Sequence, residues 1–402
     1  MRILLISPLP GLDPACGDVT YTEMLLAHPP AGIEYETYAD AIRRGTLREH
    51  GRRSSLLRAM RTGGQVEREI ALTAFSHAMN RARRGNLLFR EPFRFFSVKP
   101  GEYDLIHLHA INARFEGPAL PLVVSNSAPL RYLYTEAGRR PKWQARLMEE
   151  VDIGLGRALG MNVVSYYLPQ ATRIVAMTQY LRKWYESRRI GPAAPIDVVP
   201  FFVPSVPARL IARRPARIGF VAKDFDAKGG PTLIEAFRQV RRERREAELW
   251  IVGSAPRLDA AEAGELGIRW TSYVKRESLM RDVFPSFDVF AYPTTFDGLP
   301  LVVLEAMSHG IPVATSDYQA MPEVVDFGRA GLISPVGDAP ALARNILRLL
   351  EPRANAHYRA AVRDRFDSVY SADAVRPRLR ASYEAAVARV VSKRRAPENS
   401  QC

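Results

Sequence analysis

Short apolar runs recur along this chain, each closed by a polar or proline–glycine turn and followed by sequence with helical spacing. In the first half they occupy residues 3–6, 105–109, 122–125 and 173–177. In the second half they occupy residues 218–222, 249–252, 270–274, 289–292 and 311–315. A continuous apolar run of this length is what a parallel strand covered on both faces requires. The segments between them place apolar residues at helical intervals, notably at 19–27, 231–242, 277–284, 339–350 and 372–391. Strands alternating with helices predict an α/β chain with parallel sheets. Pro200, Pro204, Pro207 and Pro215 punctuate the middle, where a domain boundary is expected. The organisation read from this is residues 1–204, residues 205–371, and a closing segment 372–402 that is a helix with a flexible tail.

Residues 288–317 repay a closer reading. The run Val289 to Tyr292 ends at Pro293, and a polar turn through Asp297 and Gly298 follows. Pro300 suits the first position of a helix on which Leu301, Leu304 and Met307 share a face, and Gly310 stops it. The unit is therefore strand, loop, helix, strand, with its loop at the carboxyl end of a strand. Open α/β sheets bind ligands there. Free N–H groups from Gly298 and Leu299 onward suit a phosphate.

Composition narrows the class. The 402 residues are 47% hydrophobic and 25% charged, as in a globular protein with two or three cores. No apolar run approaches a membrane span, and residues 3–6 are too short for a signal peptide. Cys16 and Cys402 make neither a disulfide framework nor a metal cluster, so a reducing cytoplasm is expected. The net charge is +14. Residues 40–99 hold 14 Arg and Lys against five Asp and Glu, with Leu56, Leu57, Met60, Val66, Ile70 and Phe75 between them. That interleaving predicts amphipathic helices with a basic face. A solvated surface and attachment to an anionic membrane both fit, whereas nucleic-acid binding is not expected without a recognised module.

The second half carries a resemblance. Residues 297–308, DGLPLVVLEAMS, resemble the donor-binding signature of retaining glycosyltransferases of family GT4, in which two Glu stand eight positions apart. Here the pair is Asp297 and Glu305. The stretch FVAKDFDAKGG is similar to that family's diphosphate-binding loop, with Lys223 where the family has Arg and Lys228 where it has Lys. In the first half, DLIHLHA and RIVAMTQYLRKWY look like its acceptor-domain elements. The resemblance implies the GT-B fold: two Rossmann-like domains facing across a cleft, the last helix crossing back onto the first.

It also implies chemistry. A sugar would pass from a nucleotide-diphosphate donor, UDP- or GDP-linked, to an acceptor hydroxyl on a glycan, lipid or small molecule. Lys223 and Lys228 would hold the leaving diphosphate, where fixed positive charge is needed. Glu305 would accept from the ribose hydroxyls and Asp297 from the transferred sugar. The base would be read near Tyr273 and Val274, and Gly17 would let the backbone approach the diphosphate. On the acceptor side stand His109, Asn126 and Ser127; the family's His at that last position is replaced here. No metal and no further cofactor is expected. The bland alternatives are solvated lysines, a turn at Asp297-Gly298 and a structural strand-end histidine. Two other functions stay open. One is a GT-B relative acting on the sugar nucleotide itself, as hydrolase or epimerase. The other is a catalytically degenerate, membrane-associated partner protein.

Overall fold

The computed structural model describes residues 1–10, 17–49, 94–110, 113–116, 120–126, 143–144, 147, 171–188, 194–207, 216–256, 258–295 and 297–395. In chain order the first-half strands are β1 (Arg2–Ile6), β2 (Glu34–Thr37), β3 (Leu47–Glu49), β4 (Arg94–Val98), β5 (Leu105–His109), β6 (Ala113–Glu116), β7 (Leu122–Asn126), β8 (Arg173–Ala176) and β9 (Ile196–Val198). Six of them form one sheet in the order β2-β1-β5-β7-β8-β9, and every pair in it is parallel. The second half supplies β10 (Arg217–Ala222), β11 (Glu248–Gly253), β12 (Ile268–Thr271), β13 (Val289–Tyr292), β14 (Val313–Ser316) and β15 (Leu332–Ser334). They form a second sheet, β12-β11-β10-β13-β14-β15, again parallel throughout. The central strands are buried along their length, β5 and β13 at every residue. That is why they read as unbroken apolar runs.

Three expectations change in detail. The strand expected at 270–274 lies two residues earlier at its start and ends sooner: β12 covers 268–271. It is an edge strand, needing only one buried face, and Trp270 and Tyr273 are 47% and 54% exposed. Their apolar character pulled the reading toward them. Likewise β14 begins at Val313, because Ile311 belongs to the turn, its N–H bonded to Ala306 O. Around residues 40–99 the described ends are a helix, Tyr38–Arg44, and the strands β3 and β4. β3 pairs antiparallel with β4, and β4 parallel with β6, in a small third sheet. The interleaved positions from Leu56 to Phe75 lie outside the described residues, as does the tail from 396.

Contacts in both directions bind the halves together. The last helix, Ala372–Arg395, packs across β5, β7 and β8 of the first sheet. There Tyr383 OH reaches His107 Nδ1 at 2.8 Å and Ser382 Oγ donates to Asp197 at 2.7 Å. In the other direction, Glu323 of the second half accepts the backbone N–H groups of Gln179 and Tyr180 at 2.8 and 3.0 Å. These are orphan donors at the start of the helix Gln179–Arg188. A carboxylate is the favoured partner at that end of a helix.

Candidate functional site

In the second sheet the strand order reverses at β10, which has β11 on one side and β13 on the other. The crevice at such a reversal is open because the two crossover connections leave in opposite directions. Here it is a cavity of about 570 Å³, within the usual size for a small-molecule site. Gly17, Asp18, Thr20 and Phe201 line it from the first half. Lys223, Lys228, Tyr273, Val274, Arg276, Tyr292, Asp297, Leu299 and Glu305 line it from the second.

The loop after β10 is built by its own backbone. Ala227 N–H donates to Asp224 Oδ1, Lys228 N–H to Asp224 O and Gly229 N–H to Asp226 O, at 3.0 to 3.1 Å. Phe225 is buried and meets Phe220 edge-on, so the loop is pinned to the sheet. Thr295 binds it to the neighbouring loop, its N–H and its hydroxyl both donating to Ala227 O at 3.1 Å. Gly229 lets the two loops touch. Its φ is +82°, and a Cβ there would stand 1.9 Å from Pro293 O. Gly229→Ala is expected to cost about 3 kcal/mol from strain and backbone overlap, a fall of roughly 6–12 °C in unfolding midpoint. Gly264→Ala, at a helical glycine with open space, is the control and should be neutral or slightly stabilising. Equal midpoints for the two variants would show that the loop contact is not tight.

This packing puts the side chains to work as a set. Lys228 Nζ donates to Asp297 Oδ2 at 2.8 Å, and Tyr292 OH donates to the same oxygen at 2.8 Å. Both side chains of the ion pair are 16% exposed. Lys223, at the end of β10, is exposed on the cavity wall. The helix Leu301–Ser308 starts at the same place. Pro300 is its cap rather than its first residue, and it offers no side-chain hydrogen bond to the helix. Val303 and Leu304 N–H donate to Pro300 O at 3.1 and 3.4 Å, so a ligand at this helix start would meet the N–H groups of Leu301 and Val302. Gly298 is buried in the turn before it and is not part of the cavity wall among the described residues.

Glu305 is buried, its side chain 7% exposed, and its Oε1 accepts from Arg276 Nε at 2.9 Å. Burial pushes its carboxyl above the usual range, and the charge and hydrogen bond of Arg276 pull it back. Arg276 Nη2 is buried without a hydrogen-bond partner. A buried donor left open beside a cavity is a feature to be explained by a bound group.

On the first-half side, His109 ends β5 but is fully buried and is not on the cavity wall among the described residues. Its Nε2 faces Asp18 Oδ1 at 3.2 Å, an ion-pair distance without hydrogen-bond alignment. Asn126 ends β7; its side chain and Ser127 lie outside the described residues. Sequence reasoning missed Asp18, Arg276 and Tyr292. Only Tyr292 carried a signal, a hydroxyl at the carboxyl end of an otherwise apolar strand. Among the described residues no group of three His, Cys, Asp or Glu is placed to hold a metal, and no helix is long and apolar enough to cross a membrane.

Comparison with known proteins bears on the same stretch. Residues 215–352 match the family model described as glycosyl transferases group 1. An amylovoran biosynthesis glycosyltransferase of Erwinia amylovora is 31% identical over 153 residues, 35% of this chain, and the chain spans 38% of that relative's length. A GDP-mannose-dependent alpha-(1-6)-phosphatidylinositol monomannoside mannosyltransferase of Mycolicibacterium smegmatis is 28% identical over 309 residues, 68% of this chain and 77% of the relative. Among solved structures, sucrose-phosphate synthase from Thermosynechococcus elongatus superposes with a TM-score of 0.58 at 18% identity. That likeness covers 96% of this chain and 99% of the other. At that identity it is a likeness of fold: two parallel α/β domains in the GT-B arrangement.

Proposed function

We propose, from a chain whose residues 215–352 form a group 1 glycosyl transferase domain, that this protein transfers a sugar from a nucleotide-diphosphate donor to an acceptor hydroxyl. One observation carries the reading. Two lysines from the loop after β10, Asp297 from the loop after the adjacent strand β13 and Glu305 from the helix that follows it converge on one cavity at the reversal of the sheet. Lys223, Lys228 and the N-terminus of the helix Leu301–Ser308 hold the diphosphate, where negative charge grows as the sugar leaves. Glu305 takes the ribose hydroxyls, Asp297 the sugar hydroxyls, and the wall at Tyr273 and Val274 the base. Anomeric configuration is retained by front-face displacement, which needs no enzyme nucleophile. Relatives named for amylovoran biosynthesis and as a phosphatidylinositol monomannoside mannosyltransferase support a role in cell-surface glycan biosynthesis. They also favour transfer over hydrolysis or epimerisation. GDP-mannose is the first donor to try, since a relative is named for it. The basic stretch of residues 40–99 would hold the enzyme at an anionic membrane surface on the cytoplasmic side.

Thermal unfolding with UDP-, GDP-, ADP- and dTDP-sugars tests the reading. A donor at 100 times its Kd stabilises the folded state by about 2.7 kcal/mol, a rise of several degrees. A rise with one nucleotide is expected. A well-folded sample that responds to none of the four would sink the donor assignment.

A further inference from the structure

Arg276 and Glu305 make half of the ion pair that their shapes allow. A guanidinium carries Nε–H and Nη2–H on one edge, spaced to meet both oxygens of a carboxylate. Here one of the two bonds is made, from Nε to Oε1 at 2.9 Å. Among the described residues, Nη2 is buried with nothing to donate to, and Glu305 Oε2 takes no hydrogen bond. The side chains are set past each other rather than fork to fork. A donor and an acceptor therefore stand side by side at the wall of the cavity, which both residues line.

Packing behind the wall fixes this offset. Glu305 lies on the helix Leu301–Ser308, and Arg276 opens a helical run, Arg276–Ser278, that continues as Leu279–Val283. His309 spans the two elements, with Nδ1 2.9 Å from Glu305 O and Nε2 2.8 Å from Met280 O. Its ring is stacked on Phe284. Leu279, Val283 and Phe284 are buried on one side, and Leu304 and Met307 on the other. Sliding either element to close the second bond would break these contacts.

Three kinds of nucleotide group carry lone pairs for Nη2, and Glu305 decides among them. A phosphate oxygen would bring negative charge against the carboxylate. A base carbonyl only accepts, so it would set a second acceptor against Oε2. A hydroxyl both donates and accepts. It gives its proton to Oε2 and takes a hydrogen bond from Nη2–H, so one oxygen satisfies both unused atoms. We infer that Arg276 selects ribose: its Nη2 donates to a ribose hydroxyl whose own proton goes to Glu305. The inference rests on the donor reading above, in which Glu305 takes the ribose hydroxyls, and adds the residue that tells ribonucleotides from deoxyribonucleotides. A deoxy sugar leaves a buried N–H and a carboxylate oxygen unpaired together. A site built for a hydroxyl rejects its analogue most strongly in that situation.

Titration calorimetry with UDP, GDP and their 2′-deoxy and 3′-deoxy forms tests this, at about pH 8 to keep Glu305 ionised. For the nucleotide that binds, loss of one of the two hydroxyls is expected to raise Kd about 100-fold, from two hydrogen bonds to charged groups at about tenfold each. In Arg276→Met the same loss should raise Kd only about tenfold, because the bond to Glu305 alone remains to be lost. The preference between UDP and GDP should be kept. Arg276→Lys keeps a charge beside Glu305 without the guanidinium fork. It should show the same fall, and it decides the question if the methionine variant does not fold. A purely structural Arg276 would lower the unfolding midpoint and leave the ratio of ribose to deoxyribose affinity alone, and that result overturns the inference. So does a loss below about threefold for both deoxy forms in the unaltered protein, less than a single hydrogen bond to a charged group is worth. A variant that changes the preference between UDP and GDP while the ratio holds would put Nη2 on the base, and also overturns it. If neither UDP nor GDP binds the unaltered protein, the donor reading fails and the role of Arg276 falls with it.

Discussion

Lys228→Ala is expected to lower turnover by about 100- to 1,000-fold, the loss seen when a fixed group that meets developing charge is removed. The lysine does two things at once. Its Nζ pairs with Asp297 at 2.8 Å, and it stands on the wall where the diphosphate is proposed to leave. Removing it leaves Asp297 with Tyr292 as its hydrogen-bond donor. Part of the loss will come from a carboxylate no longer held in place. Lys228→Arg separates the two contributions. It keeps the charge but changes the shape of the donor, so a variant that regains nucleotide affinity without regaining kcat would assign the loss to geometry. Steady-state kinetics at saturating donor, with an unfolding midpoint for each variant, make the measurement. If Lys228→Ala kept more than about a tenth of the turnover, charge at this position would not be meeting the leaving group.

Glu305→Gln is expected to weaken nucleotide binding by about 10- to 100-fold, since a charged acceptor of hydroxyl hydrogen bonds is replaced by a neutral one of the same size. Its fold should survive, because the amide still accepts from Arg276. Glu305→Ala is harsher. It strands Arg276, whose Nη2 already lacks a hydrogen-bond partner, and breaking a buried pair costs up to about 3–5 kcal/mol. The glutamine variant is therefore the cleaner test. Arg276→Met gives a pH signature. Arg276 now holds the Glu305 carboxyl down against burial; without it that carboxyl titrates higher, and the ionised form needed for the ribose is lost first at low pH. Nucleotide affinity in Arg276→Met should thus rise with pH across a window above the unaltered protein's. Titration calorimetry at three pH values checks this. An affinity in Glu305→Gln equal to that of the unaltered protein would remove Glu305 from the nucleotide site.

Much of the architecture was written locally. Strands β1, β5, β7, β8, β10, β11 and β13 are runs of buried residues, and a parallel strand covered on both faces leaves that trace in any short window. The loops after β10 and β13 were legible too, because their glycines, prolines and lysines sit in a fixed local order. Contacts between distant residues leave no such trace. In the small sheet β3-β4-β6, β3 pairs with β4 across about 50 residues, Leu47 facing Val98. The edge strand β12 was misplaced because Trp270 looks apolar in a window and only the finished sheet leaves it in solvent. Arg276 meets Glu305 across 29 residues, and Tyr383 meets His107 across 276. The sequence by itself determined the two α/β halves, the loops that carry Lys223, Lys228 and Asp297, and the helix that carries Glu305. Only the tertiary structure decided which groups face those four and how the last helix reaches the back of the first-half wall. Backbone conformation is set by neighbours within a turn or two, whereas the pairing of side chains is set by how whole elements pack.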